Sequence, residues 1–504
     1  MIANESGVPE SLDQMGLPSH IQRDITFTRW LFRALLVILF LAPLPLGSNR
    51  PLLWSLLVAA IAAIGWVWAG GWAIGVARWP EGISRARWPL VALVLFVAWG
   101  GAKVVWGMGR PQSGLLQQGV VPPDMGSPQS GFFQTVDWQA SADALLLSLG
   151  LLLLAFLTVV LVRSKRRALQ LLFALVLAGL AQAIYGSLMM LSGMEWGFFA
   201  PKEFGRGLAT GTFINRNHYA NLLVLSLSAG IGLLLAQMDL AGAPTMRARL
   251  RSLLQATLGP KARLRIFLVV IVIALVLTRS RGGNTAFFAA LTMVGLFALW
   301  RLRQRSRPLV VLVVSVLIID VFVIGTWFGV EQVIDRIQRS VQVQEDGWVV
   351  QDQNRIDADR ESLDIISRRP VQGWGGGTFY TVYPAWRGDD QMFMDHAHND
   401  YLEFAVDHGL VGLALLGWFV LLCVLRAARG LQDRDESRLF GVSFASLMAI
   451  TAMMIHAAVD FSLQIPANAA WFVVLALLPF AVADSGRSGR PGRGRHPDRV
   501  RRVQ

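Results

Sequence analysis

Cysteine, charge and tyrosine are all scarce in this sequence. One cysteine, Cys423, in 504 residues leaves no partner for an internal disulfide and no cysteine-based metal site. Charged residues are 16% of the chain, against about 25% in soluble globular domains, and 54% of residues are hydrophobic. A soluble enzyme with one buried core is therefore excluded, and a polytopic membrane protein is indicated. The first 28 residues carry Glu5, Glu10, Asp13 and Asp24 ahead of any apolar run, which does not resemble a cleavable signal peptide, so the first span is expected to be retained.

What is there is a series of apolar runs, each near the ~20 residues that cross a bilayer as a helix. They fall at roughly 31–47, 52–76, 89–107, 142–162, 168–192, 219–237, 266–278, 285–300, 308–328, 410–428, 439–459 and 466–483. The expected fold class is all-α: a polytopic integral membrane bundle of about twelve transmembrane helices with a large, partly helical periplasmic loop. The net charge of +13 is distributed as the positive-inside rule requires. Arginine clusters such as Arg163-Ser-Lys-Arg-Arg167 and Arg301-Leu-Arg-Gln-Arg-Ser-Arg307 recur on alternate connections. That places both termini in the cytoplasm and argues against nucleic acid as the partner of the basic residues. The expected organisation is a cytoplasmic segment 1–30, N-terminal spans 31–204, a core 205–430 that includes the loop 329–403, C-terminal spans 431–483, and a basic cytoplasmic tail 484–504.

Two outward segments are sizeable. Residues 108–140 are rich in Gly, Pro and Gln, and 329–403 holds 14 acidic and 7 basic side chains. A connection of that length far exceeds the usual 4–6 residues or so and implies a task. Within it, 354–368 reads as an amphipathic helix with Ile356, Leu363 and Ile366 on one stripe, ending before Pro370. A turn-rich stretch, Gly373-Trp-Gly-Gly-Gly377, follows.

Three segments carry the chemistry. The first is Gly211-Thr-Phe-Ile-Asn-Arg-Asn-His-Tyr-Ala-Asn221, at the outer mouth of the sixth span. The second is Thr278-Arg-Ser-Arg-Gly-Gly283, between the seventh and eighth. A seventh span of about 13 residues is ~20 Å long, short of the ~30 Å hydrocarbon core. Arg279 and Arg281 are thus expected below the outer surface, where an ionisable residue marks function. The bland alternative is that they snorkel to headgroups. The third is Asp395-His-Ala-His-Asn-Asp-Tyr-Leu-Glu-Phe-Ala-Val-Asp-His-Gly409, entering the tenth span. Asp400 and Glu403 have capping-box spacing, which sets His398 just ahead of a helix start, where it is suited to proton transfer. His218, His396 and His408 have ordinary hydrogen-bonding readings, Arg355 that of a surface residue, and His456 with Asp460 that of a structural pair.

These residues resemble a known family. His398-Asn399, nine further residues and Gly409-Leu-Val-Gly412 fit the His-Asn/Ser/Gln-x9-Gly-x-x-Gly pattern of bacterial O-antigen ligases. The Ser280-Arg281-Gly282 turn and the Pro370–Gly377 stretch are similar to that family as well. The resemblance runs from about 205 to 430. It implies a membrane glycosyltransferase that transfers or polymerises a glycan from undecaprenyl diphosphate to a glycan or lipid A core acceptor. The reaction would occur at the periplasmic face of the bacterial inner membrane, with a chain-length regulator as a possible partner. By the resemblance, His398 matches the catalytic histidine, Arg281 the arginine of the Ser-Arg-Gly turn and Arg355 that of the large loop. Arg216, Asn217, His218, Arg279, His396 and Asn399 are candidate substrate contacts. No metal or other cofactor is expected, since Asp357-Ala-Asp359, inside the expected helix, suits a metal-bound nucleotide sugar poorly. The alternatives are a protein O-oligosaccharyltransferase of the same superfamily, a twelve-helix secondary transporter, and a metal-dependent hydrolase built on His396, His398, Asp400 and His408.

Overall fold

The computed structural model describes residues 18–108, 132–197, 200–202, 205–237, 260–302, 347–387, 394–432 and 436–482. The expected span 308–328, most of the segment 108–140 and the tail 484–504 lie outside the described residues. Within them the chain is helical: α1 (Ser19–Leu41), α2 (Pro51–Ala73), α3 (Gly82–Gly107), α4 (Trp138–Leu161), α5 (Lys165–Ser192), α6 (Arg216–Ala236), α7 (Pro260–Leu277), α8 (Arg281–Leu302), α9 (Gly347–Arg368), α10 (Phe379–Val382), α11 (Asp400–Gly430), α12 (Ser437–Ala457) and α13 (Pro466–Ala481). A two-stranded antiparallel hairpin, β1 (Trp196–Gly197) and β2 (Ala200–Pro201), lies between α5 and α6.

Eight of the described helices are long and apolar enough to cross a membrane, so the structure supports an all-α polytopic membrane protein. Helices stand where eleven of the twelve expected spans were placed, with several ends displaced, α1 beginning at Ser19 and α3 at Gly82. The first span was expected to run to 47, but α1 stops at Leu41. Pro43 and Pro45 have no N–H to continue the ladder and disfavour helix in the residue before them. The seventh was expected to be about 13 residues, but α7 has 18, or about 27 Å of helix. It takes in Lys261, Arg263 and Arg265, so shortness does not argue that Arg279 and Arg281 are submerged. The tenth begins earlier, at Asp400.

The bundle is built around α6, buried along its length from His218 to Ala236. It packs on α5, α7, α8, α12 and α13, and α12 is its closest neighbour because two glycines meet at the crossing. A Cβ on Gly232 would lie 2.4 Å from the Gly441 carbonyl oxygen, and one on Gly441 2.3 Å from that of Gly232. Small residues at a crossing let backbones approach where no hydrophobic driving force separates helix from lipid. Large apolar side chains such as Trp66, Leu188 and Trp300 remain exposed on the outer helices, as a lipid-facing surface requires. At the end of the bundle away from His398, part of the expected cytoplasmic arginine cluster is half-buried and paired: Arg163 with the buried Asp24 at 2.6 Å, and Lys165 with Glu436.

The long segment ahead of α11 has a small core of its own, with Ala358, Ile365, Trp374, Phe379, Val382, Tyr383, Met394 and Val406 buried together. Here the expected stripe is corrected. Of its three residues, Ile366 packs against this core, but Ile356 and Leu363 are exposed and Ala358, Ser362 and Ile365 are buried, because α9 approaches its neighbours through the small Ala358 and Ser362 beside Ile365. The cap joins the bundle where α11 breaks. Gly409 has φ 69° and ψ −179°, a conformation essentially confined to glycine. Into that break fits the 370–375 segment: Trp374 and Gly375 donate to the carbonyls of Val406 and Asp407 at 2.9 Å, and Leu410 N donates to Pro370 O at 2.7 Å. From α3, Trp99 Nε1 donates to His408 O at 2.8 Å and Lys103 Nζ to the carbonyls of Asp407 and Gln372. The carbonyls freed by the break are thus satisfied inside the bundle, which an apolar surround demands.

Candidate functional site

Helix ends from distant parts of the sequence converge beside the cap. Asn215 caps α6, its side chain accepting from Asn217 N at 2.8 Å, and this sets Arg216 and Asn217 in the first turn. Ser280 does the same for α8: its Oγ accepts from Gly283 N at 3.2 Å and donates to Asn217 Oδ1 at 2.8 Å. The Ser-Arg-Gly turn is thus bound to the Asn-Arg-Asn-His turn. Gly283 allows the approach, since a Cβ there would meet Ala220 Cβ at 2.6 Å.

The arginines gather here. Arg216 opens α6 and Arg281 opens α8. Arg279 lies in the left-handed region, φ 51°, in the turn between α7 and α8, and Arg355 is on α9. Arg216 is within electrostatic reach of Arg281, Arg355, Arg279 and Asp460. Arg279 and Arg281 are exposed and Arg216 and Arg355 half-buried. Cations are ordinarily disfavoured at helix N-termini, where the partial charge is positive. Two helices that both begin with arginine beside further arginines make a site that favours an anion.

Facing them is the histidine segment. Asn399, not Asp400, is the N-cap of α11: its side chain accepts from Tyr401 N at 3.1 Å and Leu402 N at 3.3 Å. This corrects the expected capping box. Asp400 instead accepts from Leu463 N at 3.0 Å, and Glu403 reaches back to Ala397 N at 3.0 Å and to His396 Nδ1 at 2.7 Å. The cap moves one residue because the asparagine amide oxygen already serves both first-turn N–H groups. His398, immediately before the cap, is held in the left-handed region at φ 53°. Histidine is one of the few side chains tolerated there, and such outliers cluster at functional sites.

Behind His398 is a residue whose role sequence reasoning missed. Asp460, between α12 and α13 and 1% exposed, presents Oδ1 to His398 Nδ1 at 3.6 Å and to His218 Nε2 at 3.4 Å. The expected pairing of His456 with Asp460 is not what forms: His456 Nδ1 meets Ser462 Oγ at 2.9 Å. Burial works against the Asp460 charge, but the two histidines outweigh it and hold the carboxyl well below the usual range. Phe461 packs against all three histidine rings, stacked on His396 at 4.0 Å and edge-on to His218 and His398 at 4.4 and 4.9 Å between centroids. The available signal was an acid at the mouth of an apolar run, four residues from a histidine, which pointed to His456 and not to the histidines 62 and 242 positions earlier.

His396 is part-exposed. Burial works against its charge, yet Glu403, with Asp395 and Asp400 behind it, carries the imidazole up to about 9. Asn399 also bonds Asp359 on α9, which ties the cap to the histidine segment. Burial raises the Asp359 carboxyl, against that bond and the charges of His398 and Arg355.

The structure therefore brings together His398, Arg216, Arg279, Arg281, Arg355, Asn217 and Asn399. It places His218 differently from the expectation of a substrate contact, 4% exposed with its ring turned inward. His408 is elsewhere, its ring 4.7 Å from Phe96 between α3 and α11. That breaks up the four-residue metal set of the hydrolase alternative, and among the described residues no three His, Cys, Asp or Glu side chains converge in a metal-holding group.

Residues 266–417, from α7 into α11, match the family model described as O-antigen ligase. The matched stretch, under a third of the chain, is similar to that family and takes in α8, α9 and the histidine segment. No curated protein matches the chain.

Proposed function

We propose that this chain is a membrane glycosyltransferase of the O-antigen ligase or surface-polysaccharide polymerase type. It takes a glycan from undecaprenyl diphosphate at the periplasmic face of the inner membrane and gives it to a hydroxyl of another glycan or of a lipid A core. The observation that carries the reading is the placing of His398, backed by Asp460, at the same mouth as four arginines.

The chemistry follows from the residue types. His398 Nδ1 faces Asp460, leaving Nε2 to take the proton of the acceptor hydroxyl, a contribution of about 10²–10⁴-fold. A carboxylate behind a histidine fixes its tautomer and stabilises the imidazolium that forms. The acceptor oxygen attacks the anomeric carbon from the face opposite the diphosphate. The bond from that carbon to the diphosphate oxygen breaks, and its electron pair leaves with the phosphate. One displacement inverts the anomeric centre. Arg216, Arg279, Arg281 and Arg355 bind the diphosphate, since guanidinium groups stay charged and grip phosphate oxygens in pairs. At a low-dielectric mouth that stabilisation of the leaving group is strengthened. No step in this scheme draws on a metal.

The test uses a strain lacking its own copy of the gene, complemented with wild type, Arg281→Ala or Arg355→Ala at matched protein level. Wild type is expected to restore long surface glycan, and both variants to accumulate lipid-linked donor. Short accumulated repeats identify a polymerase, and long unattached chains a ligase. Variants indistinguishable from wild type would overturn the assignment of the arginines.

A further inference from the structure

His218 sits within the Asn-Arg-Asn-His turn yet does not face the mouth. It is buried on α6, and its Nε2 lies 3.4 Å from the same Asp460 oxygen that lies 3.6 Å from His398 Nδ1. Asp460 Oδ1 accepts from its own neighbour, Phe461 N, at 2.8 Å, while Oδ2 and the facing nitrogens of both histidines are buried without a hydrogen-bond partner. The carboxylate is therefore held by the backbone at one oxygen, and the side chains that lie against that oxygen, at ion-pair distance, are the two histidines. The His218 backbone is itself pinned, its carbonyl accepting from Asn468 Nδ2 at 3.0 Å on α13. Its ring packs edge-on against Phe461 at 4.4 Å. A buried imidazole on the central helix thus lies against the carboxylate that backs the base, with its Nε2 given no other partner.

We infer that His218 is a positioning residue of the transfer reaction: from α6 it anchors Asp460, and Asp460 in turn holds His398 with Nδ1 inward and Nε2 toward the acceptor. The logic is that of a nucleophile's base oriented by a further group, extended by one link, with the first link on a helix buried from His218 to Ala236. His218 touches no substrate. Its contribution is a donor at the Nε2 position, so a side chain that keeps a donor there keeps the function without titrating. The inference rests on the transferase reading, and its test separates the two.

The experiment compares wild type, His218→Leu, His218→Gln and Asp460→Asn as full-length proteins in vesicles supplied with a diphosphate-linked glycan on a polyisoprenoid. Turnover and donor KM are measured, and nitrogen NMR of labelled histidine reads the His398 tautomer, assigned by comparison with His398→Gln. His218→Leu is expected to lower kcat about 10-fold with donor KM nearly unchanged, and to reduce the share of His398 with the proton on Nδ1. His218→Gln, whose amide nitrogen reaches the Nε2 position, is expected to restore kcat to within about 3-fold of wild type. Combined with Asp460→Asn, the leucine change is expected to cost nothing further, as members of one relay do not add. Leucine and glutamine variants that both match wild type would overturn the inference. So would equal losses in both with the His398 tautomer unchanged, which would make His218 a packing or substrate residue. Absence of transfer by wild type would overturn the glycosyltransferase reading instead, and the tautomer comparison would still decide the relay.

Discussion

His396 and His398 are two residues apart and do opposite work. His398 points its Nδ1 at a carboxylate shared with a second histidine, whereas His396 shares Glu403 with no other histidine, meets it at 2.7 Å and stacks on Phe461. The His396 imidazole is carried up to about 9, from an ordinary value of about 6.5, so the folded state binds its proton more tightly than the unfolded chain does. Stability from this pair is therefore complete below about pH 6.5 and is lost as pH rises through about 9. Wild type is expected to melt at a higher temperature than His396→Gln in detergent at pH 6, with the gap closing by about pH 10. A gap that is constant with pH would show that His396 stabilises by stacking alone. At this scale the sequence was informative where a motif carried the signal, as for His398, Asn399 and Arg281. It paired Asp460 with His456 and not with His398, which lies 62 positions before it and becomes its neighbour only because α12 returns the chain to the same end of the bundle.

Among the elements, the break in α11 explains why the Gly409-Leu-Val-Gly412 pattern accompanies a histidine eleven residues earlier. Gly409 lets the first turns of α11 stand apart from the spanning part, and the 370–375 segment occupies the gap. Gly412 clears His408, whose Cβ would lie 2.3 Å from a Cβ at 412. The histidine end of α11 is thereby fixed by the cap and by Lys103 and Trp99 of α3. At 409 a Cβ would lie 2.2 Å from the Val371 carbonyl oxygen, in a backbone region closed to alanine. Gly409→Ala is expected to cost about 3 kcal/mol or more, read as a lowered unfolding midpoint, while Gly417→Ala, which meets nothing within 4 Å, is the matched control. Equal effects would contradict the account of the break. The existence of α9 was legible from its periodicity, but its buried face was not. Size misled the reading: Ala358 and Ser362 let the helix approach its neighbours, while the larger Ile356 and Leu363 point away.

Across the whole molecule, apolar runs were enough to place the helices because each run must hydrogen-bond its own backbone in lipid. Where they end was set by local chemistry that hydropathy does not weigh, such as Pro43 after α1 and the basic first turns of α7. The bundle gathers at one end the N-termini of α6, α8 and α11 with the turn between α12 and α13, and the cap closes over them. The central claim is that this mouth transfers a glycan from a lipid diphosphate with His398 as base. It is tested most directly with purified protein in vesicles, a diphosphate-linked glycan donor and a hydroxyl acceptor, by following glycan product and freed lipid diphosphate together. Wild type is expected to release one diphosphate per glycan transferred, and His398→Ala, folded and at equal density, to be slower by about 10²-fold or more. Transfer by His398→Ala at the wild-type rate would contradict the account.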